Sequence, residues 1–102
     1  MNDIKSMVAN TPEELAEILG LGRAEAHEWQ VQHALLKKLR QIVKAESLTH
    51  AQVAARGGSS RTRVTAILNG NLANVSSDLL IRLLSGLGYR VKVSISRIES
   101  AA

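Results

Sequence analysis

Two arginines, Arg61 and Arg63, stand one residue apart behind a pair of serines and ahead of an apolar stripe. A guanidinium is permanently charged and presents a planar fork of donors, which bonds bidentately to guanine O6 and N7 or grips a phosphate. If the two open a helix, its free N–H groups and positive dipole end add a second attraction for phosphate. Exposed arginines are also common as solvated charges on ordinary surface helices. Their type alone does not separate the two readings, so the elements that hold them decide.

Ser59 and Ser60 offer an N-cap directly before the arginines. Val64, Ile67 and Leu68 recur at i, i+3 and i+4, and Asn69-Gly70 ends the pattern. Upstream, Thr49 with Gln52 three residues later predicts a capping box. Ala51, Val53, Ala54 and Ala55 are mostly small, as a close helix crossing requires, and Gly57-Gly58 supplies the turn. Leu48 to Gly70 therefore reads as a helix-turn-helix whose open face carries Arg61, Thr62, Arg63, Thr65 and Ala66. In that arrangement the second helix enters the major groove and its N-terminal residues meet base edges.

The flanks build a frame for this unit. A helix over about 24–45 buries one seam of Val31, Leu35, Leu39 and Ile42 and a second of Trp29, Leu36 and Val43. It is roughly 33 Å long. Trp29 at helical spacing is more often core than an interface anchor. Lys37, Lys38, Arg40 and Lys44 line other faces, within reach of flanking phosphates or simply solvated. Thr11-Pro12-Glu13-Glu14 starts a short acidic helix with Leu15, Ile18 and Leu19 on one face, which docks on the bundle or on another protein. Ser76 caps a helix from Ser77 to about Leu87, closed by Gly88. Tyr89, Val91, Val93 and Ile95 then alternate with Arg90, Lys92, Ser94 and Ser96, the period of a half-buried strand over 89–96. The chain holds no second strand for it, so this strand pairs with its copy in a homodimer, adds to a partner's sheet, or lies unpaired along its own bundle.

Composition bounds the rest. The 102 residues predict one domain over 11–96, with a flexible N-terminus at 1–10 and a tail at 97–102. The net charge of +4 is uneven. Residues 1–28 hold six acidic against two basic side chains, while seven of the eleven remaining Lys and Arg fall between Lys37 and Arg63. A basic body of this kind suits a polyanion. Absent cysteines exclude disulfides and thiolate metal sites. No apolar run is long enough to span a membrane and MNDIKSMVAN lacks the pattern of a leader, so a cytoplasmic location is expected. His27, Glu28 and His33 miss the H-E-x-x-H spacing, because positions six apart on a helix do not share a face; no metal site is expected. Gly57-Gly58 lacks the lysine of a phosphate loop, and no catalytic triad or carboxylate pair stands out.

Leu48-Thr49, Ala51-Gln52-Val53-Ala54, Ser60, Val64, Ile67-Leu68 and Gly70, followed by Ser76, Asp78 and Leu87-Gly88, resemble the lambda-repressor-like (Xre) family of bacterial regulators over about residues 35–95. Within it the chain is most similar to the small HigA-type antitoxins. The resemblance implies an all-α bundle of about five helices with a C-terminal β-strand. It implies base contacts from Arg61, Thr62 and Ala66 and phosphate contacts from His50, Arg63 and Asn69, to which Lys37 and Lys38 are added here as flanking candidates. Pairing of the lone strand predicts a homodimer, joined through Tyr89, Val91, Val93 and Ile95, on a palindromic operator in double-stranded DNA. To this the resemblance adds repression of its own operon and a neighbouring ribonuclease-type toxin as partner; no cofactor is expected. The chain departs from the family at Gly57 and Ser59, where large apolar residues are usual, which predicts a loosely packed turn. The rival expectation is a protein-interaction module that clasps a partner through the acidic helix and the strand.

Overall fold

The computed structural model describes residues 22–98. Among them are four helices: α1 (Arg23–Ala45), α2 (His50–Gly57), α3 (Arg61–Leu68) and α4 (Ser77–Gly86). The acidic helix predicted from Thr11, the stretch 1–10 expected to be flexible, and the end of the tail lie outside the described residues.

Within the described residues the three predicted caps are all present. Thr49 accepts the Gln52 N–H at 3.1 Å, and the Gln52 side chain accepts the Thr49 N–H at 2.8 Å. Ser60 accepts from the Arg63 N–H and Ser76 from the Leu79 N–H. The helices also share one kind of exit. A left-handed residue, Ser47, Gly58, Gly70 or Gly88, follows each, and the next N–H reaches back five residues, as in Leu48 to Val43 (3.0 Å) and Tyr89 to Leu84 (3.0 Å). This arrangement satisfies carbonyls that would otherwise be stranded at the helix end. Ser47, with φ of 52°, takes the left-handed position without being a glycine.

The core is aliphatic. Leu36, Leu39 and Ile42 of α1, Val53 of α2, Val64 and Ile67 of α3, and Leu80, Leu83 and Leu84 of α4 are buried together, with no buried polar residue among the described ones. Each such side chain contributes about 1.5–3 kcal/mol by leaving water. Helix α4 packs against α1 and α2, while α3 rests mainly on α2 and more lightly on α1. At the α2–α4 crossing two glycines meet. A Cβ on Gly57 would run into the Leu83 side chain, and one on Gly86 would run into the Arg56 carbonyl with the Gly57 Cα at 3.0 Å. The expected loosely packed turn is therefore not found. Gly57 is buried, and Leu83 occupies the space that a larger residue would fill.

Two further expectations are corrected. Trp29 and Val31 were assigned to the buried seams of the long helix, yet they are 37% and 50% exposed; Trp29 lies instead against His33, ring centroids 4.2 Å apart. The α1 stripe that reaches the shared core begins only at Leu35 and Leu36, because α3 and α4 cover the C-terminal half of this 23-residue helix. The predicted C-terminal strand over 89–96 is also absent. No strand occurs among the described residues, and 89–98 is irregular chain. Alternation records only that one side is apolar, whereas a strand needs a ladder partner. Val91 packs partly on the core, but Val93 and Ile95 are 79% and 92% exposed. The Tyr89 hydroxyl donates to the Glu46 carboxylate, which anchors the start of this segment just beyond α1.

Candidate nucleic-acid interface

Helix α3 has eight residues, too few to be stable alone. Its buried face is Val64 and Ile67, and the first turn it leaves open carries Arg61, Thr62 and Arg63, all exposed. Three hydrogen bonds to other elements hold it. At the N-terminal end the Arg63 guanidinium donates to the Asn74 carbonyl at 3.1 Å, tying α3 to the connector before α4. Midway, His50 Nδ1 lies 2.7 Å from the Thr65 hydroxyl, linking the first residue of α2 to the second turn of α3. At the C-terminal end Arg40 Nε of α1 donates to the Leu68 carbonyl at 2.9 Å. A cation there also meets the negative end of the helix dipole. The connector is fixed in turn, for Gln32 donates to the Val75 carbonyl at 2.9 Å.

The other candidate residues distribute around this helix. Ala66 is half-buried and Asn69, the C-cap of α3, is exposed. Lys37 and Lys38 are both exposed on α1. With Arg40 facing the end of α3, helical geometry puts Lys37 and Lys44 on the same side, one turn before and after it. Lys38, two residues from Arg40, falls on a different side. Tyr89, Val91, Val93 and Ile95 follow α4, and Val91 and Val93 line a cleft of about 320 Å³ with Val31, Leu35 and Ile81.

The profile of a helix-turn-helix domain family matches residues 11–96. The chain belongs to that helix-turn-helix family. Over 58 residues it is 33% identical to a Mycobacterium tuberculosis (strain ATCC 25618 / H37Rv) protein named as the antitoxin HigA2. That alignment takes in 57% of this chain and 57% of the relative, so little more than half the length of each is compared. No solved structure matches the chain. The likeness to lambda-repressor-like regulators and to HigA-type antitoxins read from the motifs thus agrees with both comparisons.

This helix-turn-helix protein is a DNA-binding regulator by family, and α3 is the second helix of its helix-turn-helix. Four contributors to the site were not singled out by the sequence reading. Thr65 was placed on the open face but bonds to His50; Arg40 was grouped with the lysines but supports α3. Asn74 acts through its backbone carbonyl, for which a sequence gives no sign. Arg82, an isolated arginine on the leucine-rich α4, faces the same side as Arg63. Its signal was there to find: the single basic residue of the helix, set between Ile81 and Leu83.

Proposed function

We propose that this protein is a sequence-specific repressor of its own operon and the antitoxin of a toxin–antitoxin pair. The observation that carries the DNA-reading part is the held recognition helix, supported along its length by Asn74, His50 and Arg40, with Arg61, Thr62 and Arg63 exposed at its leading turn. In this reading Arg61, Thr62 and Ala66 contact bases. His50, Arg63, Asn69 and Lys37 contact phosphates, while Lys38, on a different side of α1 from Arg40, stands outside this interface. Most of the contact energy is electrostatic and the base contacts supply discrimination.

The protein acts as a homodimer that sets two recognition helices about 34 Å apart on a palindromic operator. Side-chain packing across the apolar surface around Val31, Ile81, Val91 and Val93 joins the copies, with Tyr89 and Ile95 on the same segment as Val91 and Val93; Val31, Ile81 and Val93 are exposed in the single chain, and this packing needs no strand ladder. Light scattering that finds only monomer at micromolar concentration would remove the dimer. The antitoxin part rests on the HigA2 likeness and implies a ribonuclease-type toxin as partner and a cytoplasmic location.

The test is fluorescence anisotropy of the wild type and of the Arg61→Ala/Arg63→Ala double variant on DNA upstream of the gene and on a scrambled duplex. Preference for the native duplex that the double variant loses is the expected result. Equal, purely salt-sensitive binding of both duplexes by the wild type would refute specific reading and leave the interaction-module alternative.

A further inference from the structure

We propose that a notch between the turn and α4 takes a phosphate group of the DNA backbone, with Arg82 as its second cationic arm. The inference rests on the DNA-binding reading and extends the interface to a helix outside the helix-turn-helix unit.

The notch has a volume of about 250 Å³ and is lined by Gly58, Ser59, Arg63, Ser76, Leu79 and Arg82. Its two guanidinium groups come from different elements, the third residue of α3 and the sixth of α4. Arg63 is steadied by its bond to the Asn74 carbonyl, which uses one of its five donors and leaves the others for a ligand. Arg82 is exposed and has no hydrogen bond or ion pair among the described residues. Asp78 sits four residues before it on α4, the spacing at which helical ion pairs form, yet the two do not pair and Asp78 does not line the notch. Two like charges thus face one concavity that no carboxylate lines. An anion relieves that arrangement, and hydrogen bonds from arginine to phosphate are among the stronger ones available. Ser76 accepts from the Leu79 N–H, so its own hydroxyl proton remains to donate.

Position selects the source of the phosphate. Arg63 is shared between the notch and the leading turn of the recognition helix, next to Arg61 and Thr62. When that turn faces base edges, the anion nearest Arg63 is a backbone phosphate on the rim of the same groove. A phosphate held between α3 and α4 would set how far the recognition helix enters the groove, without reading sequence.

The experiment compares wild type, Arg82→Gln and, as an equal loss of charge outside the notch, Arg90→Gln. Anisotropy is read on native and scrambled duplexes at 50 and 200 mM salt. Arg82→Gln should weaken both duplexes by the same factor. One lost phosphate contact lowers the salt slope by about 0.9, so over a fourfold rise in salt the gap to wild type should shrink about 3.5-fold. Arg90→Gln should keep the wild-type slope. An unchanged slope in Arg82→Gln, or the same change in Arg90→Gln, overturns the proposal while leaving the recognition helix intact as a reader. Failure of the wild type to bind either duplex overturns the DNA reading itself. Side-chain Nε–H resonances of Arg63 and Arg82 give the second arm. They should move on adding duplex; movement with inorganic phosphate but not with duplex would reassign the notch to a free phosphate ligand.

Discussion

Gly86→Ala should destabilise the protein, although helix propensity alone predicts the opposite. Gly86 is the last residue of α4, and replacing a helical glycine by alanine gains up to about 1 kcal/mol in an exposed helix. Here the new Cβ would run into the Arg56 carbonyl of α2, and the Gly57 Cα is only 3.0 Å from it. Neither is a side-chain tip that can swing aside, so the two helices must separate. Overpacking of that kind costs about 1–3 kcal/mol, and the gap also loosens the Gly57–Leu83 contact one layer away. The net expectation is a loss of about 1–2 kcal/mol, or roughly 4–16 °C in Tm for a domain of this size. Urea unfolding followed by helical circular dichroism gives the number directly. The same variant should bind native and scrambled DNA less well by a common factor, since α2 carries the turn that aims α3. A Gly86→Ala protein as stable as wild type, or more so, would show that the crossing tolerates separation and that the close approach is not what sets the turn.

Two other variants test separate parts of the frame. Ser47→Gly should stabilise by about 0.5–1 kcal/mol, because the left-handed φ of 52° costs a non-glycine residue more than glycine loses through its freer unfolded chain; an unchanged urea midpoint would mean that Ser47 sits there without strain. Tyr89 should make stability fall at alkaline pH. Its phenol is raised above the ordinary 10.0 chiefly because it donates a hydrogen bond to Glu46, with desolvation and repulsion between phenolate and carboxylate adding to the effect. A group whose pKa is higher folded than unfolded contributes in full below the unfolded value and loses that contribution as pH rises through the folded one. Unfolding at about pH 9 and pH 11 should therefore show a loss in wild type that is smaller in Tyr89→Phe, and equal losses would place the alkaline sensitivity elsewhere.

Most of the helical frame was legible because it depends on local chemistry. Capping residues act on N–H groups two or three positions away, so Thr49, Ser60 and Ser76 mark helix starts wherever the chain goes. The face of α3 was legible for the same reason, since Val64 and Ile67 bury and the arginines cannot. What was not legible depends on partners distant in sequence. Trp29 and Val31 continue the period of α1, but their burial requires another element to lie beside them, and the helices that cover Leu36 and Leu39 do not extend so far. The alternation from Tyr89 to Ile95 is real as a pattern and carries no information about a ladder partner. Gly57 looked like a missing side chain; only the position of Leu83, 26 residues later, turns it into a packing requirement.

These long-range ties bear on how the site works. Helices α2 and α3 have eight residues each, well below the length at which a helix persists in water. Helix α3 is therefore as rigid as its attachments. The Arg63–Asn74, His50–Thr65 and Arg40–Leu68 bonds fall near its beginning, middle and end, and Val64 and Ile67 fix its rotation about its own axis. Together they specify translation, tilt and roll before any ligand arrives, which leaves little ordering cost for binding. Arg61 differs from these residues. It is exposed and, among the described residues, has no partner. A side chain that supports nothing in the fold but sits on a helix tied at three points is suited to report a base, because losing its contact changes affinity for one sequence without altering the scaffold that presents it.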